Sequence, residues 1–200
     1  MPFILIKGTF HVTGYSPDGD SMKFMARKEA NWNKLAGRPA KRNAKAHVQM
    51  RFEGVDTPET HYSGGHQPPA LADAATDFTL GQAGIKKPVW SQNRYRVISS
   101  SDGTEGYILS RETERNGRPV SFVFAGSTKL QDGSAVFLKP ALLRKSINYK
   151  LLKAGLAYPT YYEGLFADLR QTMTAATVAA RQAEKGIWPQ DKSAGVVVEG

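Results

Sequence analysis

The 200-residue chain contains no cysteine. That excludes disulfides, thiolate metal sites and a cysteine nucleophile, and leaves the compartment undecided. No stretch approaches the ~20 apolar residues of a membrane span. The opening Met1–Lys7 segment has four apolar residues before a lysine, too short for a signal-peptide core. A secreted or periplasmic location is therefore expected only if a leader is removed. Neither internal repeats nor a domain-splitting linker are visible. One domain over 1–191 is expected, with a loose tail over 192–200.

Acidic residues are also in deficit. Twenty-seven Lys and Arg stand against 18 Asp and Glu, a formal charge of +9. Such a balance makes polyanions the first partners to consider. The excess is uneven. Residues 27–45 carry seven basic residues (Arg27, Lys28, Lys34, Arg38, Lys41, Arg42 and Lys45) and the single acid Glu29. The segment is expected to be solvated or to grip a nucleic-acid backbone through Lys41, Arg42 and Lys45, with Trp32 offering a surface for base stacking. No amphipathic basic helix points to a membrane, and no obligate protein partner is implied.

Short strands dominate the first two-thirds. Phe3–Val12 and Met22–Ala26 flank the turn Ser16–Ser21. In His47–Val55, Val48, Met50 and Phe52 alternate with Gln49, Arg51 and Glu53, predicting a strand with the second set facing solvent. Val89–Ser99, Tyr107–Thr113, Val120–Phe124 and Ala135–Leu138 are further strands, and Asn116-Gly117 is a hairpin signal. Helices are expected over Ala70–Gln82, Ser146–Ala154 and Ala167–Lys185. Ser146 would cap the second, Gly155 would follow it, and Gly186 would end the third. Leu169, Met173, Ala176 and Ala180 form its apolar stripe. Strands followed by helices predict an α+β fold around a small barrel, for which a five-stranded OB-fold is one candidate among several.

Two acidic turns carry the chemistry. Asp18-Gly19-Asp20 is by itself an ordinary turn. In Asp56-Thr57-Pro58-Glu59 the proline pushes Thr57 into an extended conformation, which directs its carbonyl. Asp20, Asp56, Glu59 and that carbonyl offer only oxygen ligands, suited to Ca²⁺ or Mg²⁺. Arg51 and Arg118 can fork onto phosphate. A hard cation, two arginines and a carboxylate base are the components of phosphodiester hydrolysis. His61 and His66, in a Gly/Pro loop, are expected to be solvated. Tyr158, Tyr161 and Tyr162 divide between stacking surface and core, and Trp188 is expected to pack.

At this point a resemblance can be stated. Asp18-Gly19-Asp20-Ser21, then Arg51 through Thr60, then Asn116-Gly117-Arg118, Leu152–Ala157 and Ala183–Trp188 fall in the order of the staphylococcal nuclease (thermonuclease) family. The resemblance implies a five-stranded OB-fold barrel with about three packed helices. It also implies Ca²⁺-dependent cutting of DNA and RNA on the 5′ side of the phosphate. By position, Asp20, Asp56 and the Thr57 carbonyl would hold the metal. Glu59 would act on water, Arg51 and Arg118 would clamp phosphate, and Tyr161 would lie near the nucleotide. The chain departs from the pattern at Asn116, where the family has tyrosine, and in two insertions, over 27–46 and between Phe124 and Ser146. A non-catalytic OB-fold module that binds nucleic acid is the alternative.

Overall fold

The computed structural model describes residues 2–59, 68–162 and 164–191. His61, His66 and the 192–200 tail lie outside the described residues. The strands are β1 (Phe3–His11), β2 (Ser21–Ala26), β3 (Ala36–Gly37), β4 (Val48–Phe52), β5 (Gly54–Asp56), β6 (Lys86–Trp90), β7 (Val97–Ser101), β8 (Thr104–Thr113), β9 (Pro119–Ala125), β10 (Ala135–Val136) and β11 (Tyr158–Thr160). The helices are α1 (Pro69–Gln82), α2 (Pro140–Leu143), α3 (Ile147–Ala154) and α4 (Ala167–Gln182).

Five strands close on themselves. Antiparallel β1–β2 and β2–β4 pairs lead to a parallel β4–β9 pair, then β9–β8 and β8–β1 are antiparallel. This closed mixed barrel removes its own edges and agrees with the α+β, OB-type expectation. Phe10, Phe24, Phe52, Phe122 and Phe124 are fully buried with Leu5, Met22 and Met50. Each buried apolar side chain contributes roughly 1.5–3 kcal/mol.

One departure from simple alternation shapes the site. The strand expected across His47–Val55 breaks after Phe52. Gly54 has φ +73, and a Cβ there would stand 2.6 Å from Met173 Cε on α4. Only glycine combines that backbone with that close approach. Beyond the kink β5 leaves the barrel and pairs with β11, Asp56 opposite Tyr158. Asn148 of α3 stitches the break, donating from Nδ2 to the Glu53 and Ser121 carbonyls at 2.8 and 3.0 Å and accepting from Val123 N at 2.9 Å. Glu53, expected to face solvent, is 4% exposed.

Other boundaries also moved. Val89–Ser99 is a hairpin, β6 and β7, because Asn93 and Arg94 adopt positive φ between them. Arg94 pairs with Asp73 and Asp77 of α1 and ties the hairpin to that helix. Ser146 caps α3 through Tyr149 N, and Gly155 ends it at φ +71. α4 stops at Gln182, short of the expected Lys185, because Glu184 takes φ +50. Trp188 packs edge-on against Tyr158.

Candidate active site

Strand ends converge at one mouth of the barrel. Asp20 immediately precedes β2, and its carbonyl accepts from Phe52 N at 2.9 Å. Arg51 lies on β4, opposite Ser21 of β2 and Val120 of β9. Arg118 enters β9 two residues before Val120. Asp56 ends β5, and Thr57 and Glu59 follow it. Residues distant in sequence are thus gathered by barrel register rather than by a local motif.

The acidic turn is clamped from below. Thr79 Oγ1 of α1 donates to the Gly19 carbonyl at 2.6 Å in the interior. A Cβ on Gly19 would stand 2.7 Å from Thr57 Oγ1 and 2.9 Å from Ala75 Cβ. The two acidic segments therefore pack directly on one another, with Gly19 as the point of contact. Thr57 is buried, and among the described residues its side-chain hydroxyl has no hydrogen-bond partner.

Four carboxylates share this space. Asp18 accepts from Gly19 N at 2.8 Å and hydrogen-bonds the Glu59 carboxyl. Asp20 is 8% exposed. Burial, with repulsion from Asp18 and Asp56, pushes it up to about 7 against the pull of Arg51 and Arg118. Glu59 also rises to about 7, through partial desolvation, its bond to Asp18 and the charges of Asp18, Asp20 and Asp56. These shifts have the sign that crowding like charges requires. Arg51 Nη2 stands 3.5 Å from Asp56 Oδ1. Arg118 is held by a fork on Glu114, Nε to Oε1 at 2.5 Å and Nη2 to Oε2 at 3.0 Å. That fork draws Glu114 below the usual carboxylate range.

Of the expected site residues, the structure gathers Asp20, Arg51, Asp56, Thr57, Glu59 and Arg118. It adds Asp18, whose signal was the doubled carboxylate of Asp18-Gly19-Asp20. Trp32, expected to stack on bases, is 4% exposed and packs edge-on against Phe24. A short 3-10 turn over Glu29–Lys34 folds it inward as a lid on the barrel, so it is removed from the binding set. Tyr161 is half-buried, its hydroxyl 3.0 Å from Thr174 Oγ1 on α4. Its neighbour Tyr162 is 45% exposed and near enough for its phenol to act on Arg118. Of the expected basic contacts, Lys41 and Arg42 border a groove that includes Arg118. Lys45 is exposed outside that lining.

Among the described residues no three His, Asp or Glu side chains form a ready ligand cage. The expected set asks for two carboxylates, Asp20 and Asp56, completed by a carbonyl and water. Among the described residues no helix is long and apolar enough to cross a membrane.

No curated protein matches the chain. The model of the family described as staphylococcal nuclease homologue matches residues 49–190, which takes in Arg51, Asp56, Thr57, Glu59 and Arg118 but begins beyond Asp20 and the 27–46 insert. With the closed five-stranded barrel, that match over most of its length shows that the chain belongs to the staphylococcal nuclease homologue family, a family of nuclease and nucleic-acid-binding domains.

Proposed function

We propose that the chain is a Ca²⁺-dependent nuclease that hydrolyses phosphodiester bonds of DNA or RNA on the 5′ side of the phosphate. The observation that carries this is the meeting of Asp20, Asp56 and Glu59 with Arg51 and Arg118 at one barrel mouth. The donor set fits a hard cation. It is all oxygen, and the four carboxylates of the mouth, Asp18, Asp20, Asp56 and Glu59, outnumber Arg51 and Arg118. Mg²⁺ would suit the same donors with more water.

Asp20 and Asp56 would hold the cation, beside the Thr57 carbonyl. When bound, the ion would polarise a phosphate oxygen and make water more acidic. Arg51 and Arg118 bind the equatorial phosphate oxygens and offset charge as it develops. The Glu114 fork aims Arg118 before substrate arrives, so that little ordering remains to be done on binding. Glu59 accepts the proton of the attacking water. Asp18, bonded to Glu59, positions that carboxyl. Tyr162 offers an exposed ring beside Arg118 for a base or sugar.

The test is digestion of single-stranded and plasmid DNA with Ca²⁺, with Mg²⁺ alone and with chelator, alongside Glu59→Gln. Cutting should need Ca²⁺ and fall by about 10²–10⁴ in the variant, the range for losing a positioned base. DNA binding in chelator should survive the substitution. Absence of cutting with either metal, with binding retained, would leave a nucleic-acid-binding barrel and sink the enzyme.

A further inference from the structure

Beside the acidic mouth lies a groove of about 520 Å³, within the size range of small-ligand sites, roughly 300–1,000 Å³. Among the described residues its lining contains Lys23, Lys41, Arg42 and Arg118 and no carboxylate. Lys23 of β2 and Gln49 of β4 are cross-strand partners on the outer face of the barrel. The far side is the inserted segment, and the near side is the β8–β9 hairpin at Asn116. Arg118 belongs to both the mouth and the groove, so the two are continuous.

The insert is held in place at this point. Lys41 N donates to the Gly117 carbonyl at 2.9 Å. A Cβ on Gly117 would stand 2.9 Å from the Pro39 carbonyl and 3.1 Å from Lys41 Cβ. The insert therefore rests on the backbone of the hairpin that delivers Arg118. Asn43 fixes the next turn, accepting from Lys45 N and His47 N at 2.9 and 3.0 Å and donating to Tyr15 Oη at 2.8 Å. Arg42 is paired with Glu29 at 2.6 Å. Among the described residues no carboxylate pairs with Lys23 or Lys41. Burial and the charge of Lys41 hold Lys23 below the ordinary lysine range. An anion seated between them would relieve that repulsion.

We infer that this groove is a second phosphate-binding site, in which Lys23 and Lys41 take the phosphodiester next to the one clamped by Arg51 and Arg118, so that the preferred substrate is a nucleic-acid strand rather than a mononucleotide ester. The inference rests on the proposed nuclease reading for its substrate class. The cations come from the barrel wall and from the insert together, and neither alone supplies both. Asn116 leaves the hairpin tip narrow and polar, so a backbone can pass over it. Gln49 and Asn43 add amide donors beside the charges.

The test is binding without turnover. A fluorescent single-stranded DNA 12-mer is titrated in chelator across a range of salt, with the unaltered chain, with Lys23→Gln/Lys41→Gln and with Lys145→Gln/Lys153→Gln. The last pair removes two exposed lysines from the helical side. Each phosphate contact to a single strand adds about 0.7 to the slope of log K against log salt. The groove variant loses that one phosphate contact and should therefore lose about 0.7 in slope, with a Kd at low salt at least about tenfold weaker, and the control pair should match the unaltered chain. A Lys41→Glu variant should weaken binding further, and equal melting temperatures would show that each variant is folded. Unchanged slope in the groove variant, equal loss in the control pair, or no binding by the unaltered chain would overturn the site. Cutting is scored separately with Ca²⁺. A chain that binds with the expected slope change but does not cut keeps the groove and loses the enzyme; one that cuts with an unchanged slope does the reverse.

Discussion

The acidic mouth and the basic groove share Arg118 but are built by opposite means. The mouth is made at strand ends, where barrel register sets Asp20 beside Arg51 and the β5–β11 pair, just outside the barrel, carries Asp56. Its carboxylates are crowded and partly desolvated, and Gly19 packs against Thr57 with no space left for a methyl group. The groove is half wall and half insertion. Its cations are spread out, and its contact with the hairpin is a backbone hydrogen bond. Under the proposed function the contrast follows from what each would have to do. Positioning a reacting phosphate requires accuracy that rigid elements provide. Attracting a polyanion requires only charge at the right distance, which a loop can supply.

The sharpest way to separate the two regions is Arg118→Ala. Removing a pre-aimed group that meets developing charge should lower kcat by roughly 10²–10³. It also strands Glu114, which now relies on the fork. Single-turnover cutting at saturating DNA measures the loss, and a change confined to KM would place Arg118 in the groove alone. Next comes Gly19→Ala. The added methyl must displace Thr57 or Ala75, an overpacking cost of about 1–3 kcal/mol. Thermal melting should show it, together with weaker Ca²⁺ affinity by calorimetry. A variant as stable and as tight as the parent would mean that the two acidic turns are not packed as described.

Glu53 gives the third prediction. It titrates near 4.5 when exposed and at about 7 in the fold, mainly through burial, with Glu112 reinforcing and Arg111 and Arg51 opposing. The folded chain therefore holds a proton that the unfolded chain has released between those values. Stability is fully present below about 4.5 and declines as pH rises through about 7. Glu53→Gln should raise stability at pH 8 by on the order of 2 kcal/mol, or roughly 4–8 °C in Tm. The gain should vanish near pH 4, and melting curves at both pH values check it. The smallest effect is expected for Arg42→Ala. Its ion pair with Glu29 is exposed on both sides, so stability should change by less than about 1 kcal/mol. A large destabilisation would show that the insert depends on this pair.

Much of the barrel is legible in the sequence because one face of each strand meets the core. Val48, Met50 and Phe52 alternate and are buried as expected, and the Asn116-Gly117 turn joins β8 to β9. Helix ends read from Ser146 and Gly155 also stand. Alternation fails where a second layer covers the outer face. Glu53 looks solvated in a strand pattern, yet it is 4% exposed where Asn148 of α3 bonds its carbonyl. β9 is buried on both faces for the same reason. Trp32 fails differently, because its charged neighbours gave the segment the composition of a loop while one side chain turns into the core. The six candidate residues that the structure brings together were singled out through their chemical type and order. The sequence left Asp18 as an ordinary turn residue and Tyr162 undecided between stacking surface and core, since the bond of Asp18 to Glu59 and the closeness of Tyr162 to Arg118 are contacts made across the fold.

Trp32 has a consequence for how such a chain can change over time. An excursion between two paired strands is ordinarily disposable, since shortening it leaves register intact. Here the same excursion bears the groove lysine, Lys41, and the indole that seals one side of Phe24. Lineages that trimmed it would forfeit reach along a nucleic-acid strand and open a hole in the interior at one stroke. With Lys41 in the proposed phosphate groove, substrate range and thermal endurance would be heritable as one trait, and selection on either would constrain the other.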